Sequence, residues 1–268
     1  MMTTTAPTAG PRAAWSPRWL RHSLVLARRS LAKTSRNPAT IVNGVVTPAL
    51  FLVLFLYLFG GEVAGSTGAY LQYLFPGIIV MGAGLTGLIS TGASINADLK
   101  NGVTDRFRSL PISRLAPLLG SVLADIVRCL VAVVLLFVLG TVLGFRIEGG
   151  APSALAAVGL AVLFGFCVSW VTVLIGVLVK STEAVMAFSF LTFLPLQLGT
   201  SLAARTDTLP GWLRAWVDVN PVTAAMDACR ALLNGTPADG AVTTTLIWCA
   251  VIFLLFCPPS VAVYGRRE

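Results

Sequence analysis

Two charges stand inside an apolar stretch, Asp125 and Arg128, three residues apart in LADIVRCLVAVVLL. On a helix that spacing lets carboxylate and guanidinium pair. Pairing relieves much of the ~2.5–3.5 kcal/mol that a lone charge costs near mid-bilayer. A structural pair close to the interface is one reading, and a part in transmitting motion is the other. Little other chemistry is on offer. His22 is the only histidine, which excludes a Ser-His-Asp triad in the apolar part and any His-rich metal site. The lysines are Lys33, Lys100 and Lys180, and none follows a glycine. The phosphate-cradling loop G-x-x-x-x-G-K-[ST] is therefore absent, as is a G-x-S-x-G elbow. The chain cannot hydrolyse ATP through such a loop and is expected to bind no cofactor and no metal itself. Cys129, Cys167, Cys229, Cys249 and Cys257 show no CxxC spacing and read as small buried hydrophobes.

The elements that must carry these residues follow from composition. Charged residues make up 11% of the 268, against roughly 25% in soluble proteins, so most of the chain does not face water. Six apolar segments, about Ile41–Gly60, Leu74–Ala97, Leu118–Phe145, Ser153–Val179, Ala184–Ala204 and Val242–Tyr264, are each long enough to span a bilayer as a helix. Residues 1–17, rich in Thr, Ala and Pro, read as a disordered start. Residues 18–37 predict an interfacial amphipathic helix, with Leu20, Leu24, Ala27 and Leu31 on one face and Arg18, His22, Arg29, Lys33 and Arg36 on the other. The expected architecture is all-α and integral to the membrane, with residues 38–268 forming one six-helix transmembrane domain.

The net charge of +8 reads as orientation rather than nucleic-acid binding, because the basic residues flank apolar runs and no aromatic-basic groove is visible. Fourteen of the nineteen Lys and Arg fall in the N-terminal stretch, the 98–117 loop, Lys180 and the C-terminus. The positive-inside rule puts that side, and both termini, in the cytoplasm. Within the second segment, Gly82, Thr86, Ser90 and Ser94 form a column of small residues, with Ala83, Gly87 and Thr91 beside it. Such a column permits close helix packing; the sharper alternative is a translocation path or dimer seam.

The stretch between the fifth and sixth segments has structure of its own. Trp212 and Trp216 suit an interfacial depth. Asn220-Pro221 reads as an N-cap followed by Pro at the first helical position. Behind it Val222, Ala225, Met226, Cys229, Leu232 and Leu233 make an apolar face, opposite Thr223, Asp227 and Arg230. Two short re-entrant helices in the outer leaflet fit this pattern, as does an amphipathic helix lying on the surface.

YLFPGI (Tyr73–Ile78), NGVTDRFRSLPISR (Asn101–Arg114), DIVR (Asp125–Arg128) and LPGWLRAWVDVNPVTAAMDACRALLNG occur in order along the chain. Together they resemble the membrane subunits of type 2 ABC exporters, most closely the daunorubicin-resistance-type drug exporters of actinobacteria. The family often has Arg after the glycine equivalent to Gly120, where this chain has Ser121. The resemblance implies a permease in the bacterial plasma membrane that moves a lipophilic drug-like compound or (glyco)lipid outward. It also implies a second permease, identical or paralogous, and two separate ATPase subunits that hold ATP and Mg²⁺. The N-terminal helix and a coupling loop containing Asp105, Arg106, Phe107 and Arg108 would meet those ATPases. Pro210–Val217 and Pro221–Leu233 would be the re-entrant outer helices. An ATP-independent secondary transporter, or a membrane anchor or assembly protein, is the competing reading; the lack of midplane acids disfavours the transporter.

Overall fold

A computed structural model describes residues 38–100, 116–202 and 210–267. The expectations for residues 1–17, for the 18–37 helix and for Asp105, Arg106, Phe107 and Arg108 fall outside them. The described residues form helices without strands: α1 (Pro38–Ala64), α2 (Thr67–Lys100), α3 (Ala116–Val142), α4 (Gly150–Leu178), α5 (Thr182–Leu198), α6 (Gly211–Val219), α7 (Pro221–Leu233) and α8 (Asp239–Arg267). Five of them, α1 to α4 and α8, are long and apolar enough to cross a membrane. At 17 residues α5 reaches about 25 Å, short of the ~30 Å hydrocarbon thickness.

Helix α2 is the axis of the molecule and packs against α1, α3, α4, α5 and α7. It is also longer than its apolar run suggests. Residues 61–73 read as a Gly-rich connection, yet the link is only Gly65-Ser66, because Gly65 takes φ +70° and the Ser66 Oγ accepts from Ala69 N–H at 3.2 Å. The helix then starts at Thr67 and buries Tyr70 and Leu71 completely or nearly so.

Lipid tails are as apolar as leucine, so helices in a bilayer associate through close packing and hydrogen bonds rather than through hydrophobic burial. The α2–α4 crossing is built that way. A Cβ on Gly87 would lie 2.5 Å from the Gly165 carbonyl oxygen, and one on Gly176 would lie 2.4 Å from that of Gly92. Thr172 Oγ1 donates to the Gly87 carbonyl across the contact at 3.2 Å. One apolar core surrounds this crossing, with Phe75, Ile79, Phe164, Phe193 and Met226 among its members. A second, smaller core of Ile95, Leu118, Val122, Trp170, Val173, Val177 and Tyr264 closes the far end of α2. The outward faces of α1 and α8 remain apolar, as with Leu50, Tyr57, Leu254 and Leu255.

Gly92→Ala puts its methyl 2.3 Å from the Thr172 carbonyl oxygen, and backbone cannot yield as a side chain does. We expect about 1–3 kcal/mol of destabilisation. Gly159→Ala, with nothing within 4 Å of its Cβ, should be neutral. Thermal unfolding of both purified variants in detergent checks the pair; equal melting of Gly92→Ala and wild type would remove the crossing from its central place.

Candidate functional site

Polar side chains gather at three places along the bundle. On α3, Asp125 and Arg128 form an ion pair, with both side chains buried. The one-turn spacing of a helix brings them together, as their sequence separation predicts.

The second place lies at the Lys100 end of α2. Asn96, only 3% exposed, donates through Nδ2 to the carbonyls of Gly176 at 3.0 Å and Val179 at 2.7 Å. Its Oδ1 accepts from Thr182 Oγ1 at 3.1 Å. The last carbonyls of a helix lack intrahelical donors, so this amide caps α4 and grips the first residue of α5. Ser181 caps α5 in turn, accepting from Ala184 N–H at 3.0 Å. Asn96 therefore ties α2, four residues before its end at Lys100, to the α4–α5 turn. Sequence reasoning passed over it; the available signal was an amide among small apolar residues close to a helix end.

At the opposite end α7 lies against α2, α4 and α8, burying Val222, Thr223, Ala225, Met226, Ala228, Cys229 and Leu233. Its Asp227 and Arg230 form an ion pair one turn apart. Arg230 also donates through Nε to the Tyr73 carbonyl at 3.0 Å and through a terminal nitrogen to that of Ser201 at 3.2 Å. The guanidinium carbon lies 4.0 Å from the Tyr73 ring centroid. Ser201 Oγ donates to Asp227 at 2.9 Å, and Tyr73 Oη–H donates to the Ser201 carbonyl at 2.8 Å. The charges on the face opposite the apolar one thus join α2, α7 and the chain leaving α5.

Asn220 does more than cap. Its Oδ1 accepts from Val222 N–H at 2.9 Å, while Nδ2 donates to the Leu196 and Gly199 carbonyls at 2.7 and 2.6 Å. Pro221 follows at the first helical position. The Leu233 carbonyl at the other end of α7 accepts from Glu148 and Gly149 N–H, joining the α3–α4 turn. On α6, Trp212 is exposed, while Trp216 lies over Gly199 with indole atoms 2.3 and 2.5 Å from where a Cβ would stand.

The small-residue column is split by its surroundings. Gly82 meets Leu136 of α3 and Pro48 of α1, and Thr86 Oγ1 lies 3.1 Å from where Gly44 of α1 would carry a Cβ. Ser94 is half-buried, and the Ser90 side chain lies outside the described set. The α4 contact belongs to the adjacent residues Ala83, Gly87 and Gly92. Among the described residues no His, Cys, Asp and Glu side chains gather to hold a metal ion.

Two substitutions separate these pairs energetically. Arg230→Ala removes several charge-assisted bonds, each worth about 1.5–3 kcal/mol. Arg214→Ala breaks an exposed pair with Asp218 that is worth roughly 0–1 kcal/mol. Only the first should lower the melting temperature markedly, and Arg230→Lys should not rescue it, since an ammonium lacks the planar fork. For Asp125 and Arg128, reversing either charge alone should reduce folded protein, and reversing both should recover it. Fluorescence-detected size exclusion measures this; independent effects of the two reversals would contradict the pairing.

Comparison with known proteins gives these contacts their context. Residues 21–234 match the ABC-2 type transporter family. The chain is 36% identical over 240 residues to the daunorubicin resistance ABC transporter permease protein DrrB1 of Streptomyces coeruleorubidus, covering 90% of this chain and 84% of that protein. The probable doxorubicin resistance ABC transporter permease protein DrrC of Mycobacterium tuberculosis is 26% identical over 275 residues, which is 100% of this chain and 99% of its own. The putative transport permease ycf38 of Cyanophora paradoxa is 26% identical over 222 residues, 81% of this chain and 75% of the relative. With its apolar spanning helices, the chain belongs to the ABC-2 type transporter family, as a multi-pass membrane permease subunit of an ABC exporter.

Proposed function

We propose that this permease moves a lipophilic drug-like compound or (glyco)lipid out of the cytoplasm or inner leaflet, together with a second permease and two ATPase subunits that bind ATP and Mg²⁺. Relatives named for daunorubicin and doxorubicin resistance support the lipophilic class. The 14-to-4 distribution of basic residues supports cytoplasmic termini in the bacterial plasma membrane. In this reading α5 is a sixth, short crossing. The helices α6 and α7 re-enter the outer leaflet: α7 has spanning helices around it, and Met226 Sδ reaches within 3.5 Å of the Cβ position at Gly77, ten residues into α2. Gly82, Thr86, Ser90 and Ser94 would contribute to a path or seam only as α1 shifts from them.

The observation that carries the proposal is the continuity of α2. One 34-residue helix runs from the Tyr73–Ser201–Asp227–Arg230 network to the Asn96 clamp and ends at the 101–115 segment, proposed as the coupling loop, in which Asp105, Arg106, Phe107 and Arg108 stand. Movement of that loop by an ATPase would displace α2 and, through Asn96, the start of α5. The outer network would feel the same displacement, because Tyr73 is on the same helix. Asp125 and Arg128 would hold α3, the helix at the other end of the loop, to a fixed register.

Arg106→Glu and Phe107→Ala should leave the membrane domain folded, since the loop lies outside the apolar spans. Each should weaken ATPase association about tenfold, because interface aromatics and arginines commonly contribute over ~1 kcal/mol. Co-purification with the ATPase and export at matched expression are the measurements. Wild-type binding and export by both variants would defeat the coupling role.

A further inference from the structure

Helix α6 has nine residues, so at about 13 Å it is far too short to cross a bilayer. At ~100° per residue its side chains divide into three sectors. Leu213 and Val217 face the protein, Leu213 half-buried and Val217 buried. Arg214 and Asp218 share a second sector, where they stand exposed and pair with each other at 4.0 Å. The third sector holds Val219, Trp212 and Trp216, and Trp212 is 76% exposed, Val219 64%. Among the described helices α6 shares an extended contact with α7 alone, and that contact leaves this third sector uncovered.

The chemistry of the three sectors identifies what covers it. A contiguous exposed apolar surface marks a contact with something other than water. The charged sector suits water, because Arg214 and Asp218 meet each other and need no further partner. One short helix thus borders protein, water and an apolar phase, which is how a helix lying along a membrane interface is disposed. The apolar sector also continues the outward side of α5. The Trp216 indole lies over Gly199. Leu198, just before it, is exposed, as is Leu191 two turns back on the same face. Two of the three side chains are tryptophans, whose apolar ring and single N–H suit the depth where acyl chains give way to headgroups.

We infer that α6 is a lipid-binding surface: Trp212, Trp216 and Val219 lie among outer-leaflet lipids at the boundary between headgroups and chains, and this contact holds the end of α5. The connection to α5 is short. Trp216 covers Gly199, and Asn220, directly after α6, donates to the Leu196 and Gly199 carbonyls. Helix α6 is then the shallow limb of the re-entrant pair, and α7, packed against α2, α4 and α8, is the deep one. The inference rests on the exporter reading for which leaflet is contacted; the lipid contact itself does not depend on orientation.

The test uses the full chain in nanodiscs of phosphatidylcholine and phosphatidylglycerol, without ATPase or ATP. Trp212→Cys, Arg214→Cys, Asp218→Cys and Val219→Cys are made singly in a background with the five native cysteines replaced, checked by size exclusion and labelled with a nitroxide. Collisions with oxygen, which enriches in lipid, are compared with those of a water-soluble nickel chelate. Labels at 212 and 219 should read about 5–10 Å inside the headgroup–acyl boundary, and those at 214 and 218 should read on the water side. Trp212→Asp should move the label at 219 out into the range of the nickel chelate, whereas Trp212→Phe should leave it at its depth. Shielding of 212 and 219 from both reagents would reveal a protein cover such as a second permease, and nickel access to both would reveal water. Either result overturns the inference, as does a label at 219 that keeps its depth in Trp212→Asp. Both faces of a nanodisc are open and no nucleotide is present, so such a failure leaves the exporter reading untouched. That reading is tested separately in the Arg106 and Phe107 variants.

Discussion

Backbone against backbone, α2 and α4 approach so closely that alanine does not fit at Gly87, Gly92, Gly165 or Gly176 without a shift. Everything else is arranged around that contact. In lipid, burying leucine gains little over leaving it among acyl chains, so a spanning bundle needs some place where atoms meet at close range in large number. Dispersion falls steeply with separation, and small residues allow the separation to be smallest. The Thr172 hydroxyl adds a hydrogen bond at the same contact. Once α2 and α4 are locked, α1, α3, α5, α7 and α8 are placed by which faces of this pair they cover.

The polar groups obey a complementary constraint. A helix crossing hydrocarbon satisfies its own backbone, but its ends do not, and the large side-chain networks are found there. Asn96 serves the carbonyls that end α4, and Asn220 those that end α5. Arg230 uses its planar fork to reach carbonyls on two further segments while its charge is met by Asp227. Each of the two asparagines closes a helix end and also sets the distance between two helices, whereas Arg230 joins the body of α2 to the chain leaving α5. Unpaired polar groups in such surroundings are costly, so these joints resist gradual stretching and favour being either made or broken.

What could be read from the sequence was what depends on near neighbours in the chain. The Asp125–Arg128 pair, the Asn220-Pro221 cap and the apolar character of the spans are all set by local spacing, and all appear. The second segment's small residues were visible too. Which of its faces meets α4 was not, because Gly82 and Gly87 look alike until a partner is placed. Asn96, Tyr73 and Ser201 act across separations of 80 residues or more, and no periodicity marks such contacts. Hydropathy also misjudged the ends. It shortened α2 by overlooking a cap at Ser66, and it extended the fifth segment to Ala204, whereas α5 stops at Leu198 with Gly199 following. Pro258 and Pro259 lie within α8, which shows that prolines in a span do not by themselves end it.

The position of α5 brings these constraints together. Its first residues are fixed by the Ser181 cap and by Thr182 on Asn96. At its last turn and just beyond, Asn220 holds Leu196 and Gly199, and Ser201 is held by Tyr73, Asp227 and Arg230. Between these ends one aromatic knob, Phe193, fills the notch left by Gly84, its ring 2.5 Å from where a Cβ would be. Phe193 also borders an apolar cavity of about 140 Å³ lined by residues of α4, α5, α7 and α8. A strut fastened at both ends and loosely seated in the middle must bend when its supports move. Pro195, lacking an N–H, leaves a gap in the helix ladder where bending is least costly. Displacement of α2 relative to α7 would therefore be taken up at Pro195 and Phe193, at the wall of that cavity, and would change its volume.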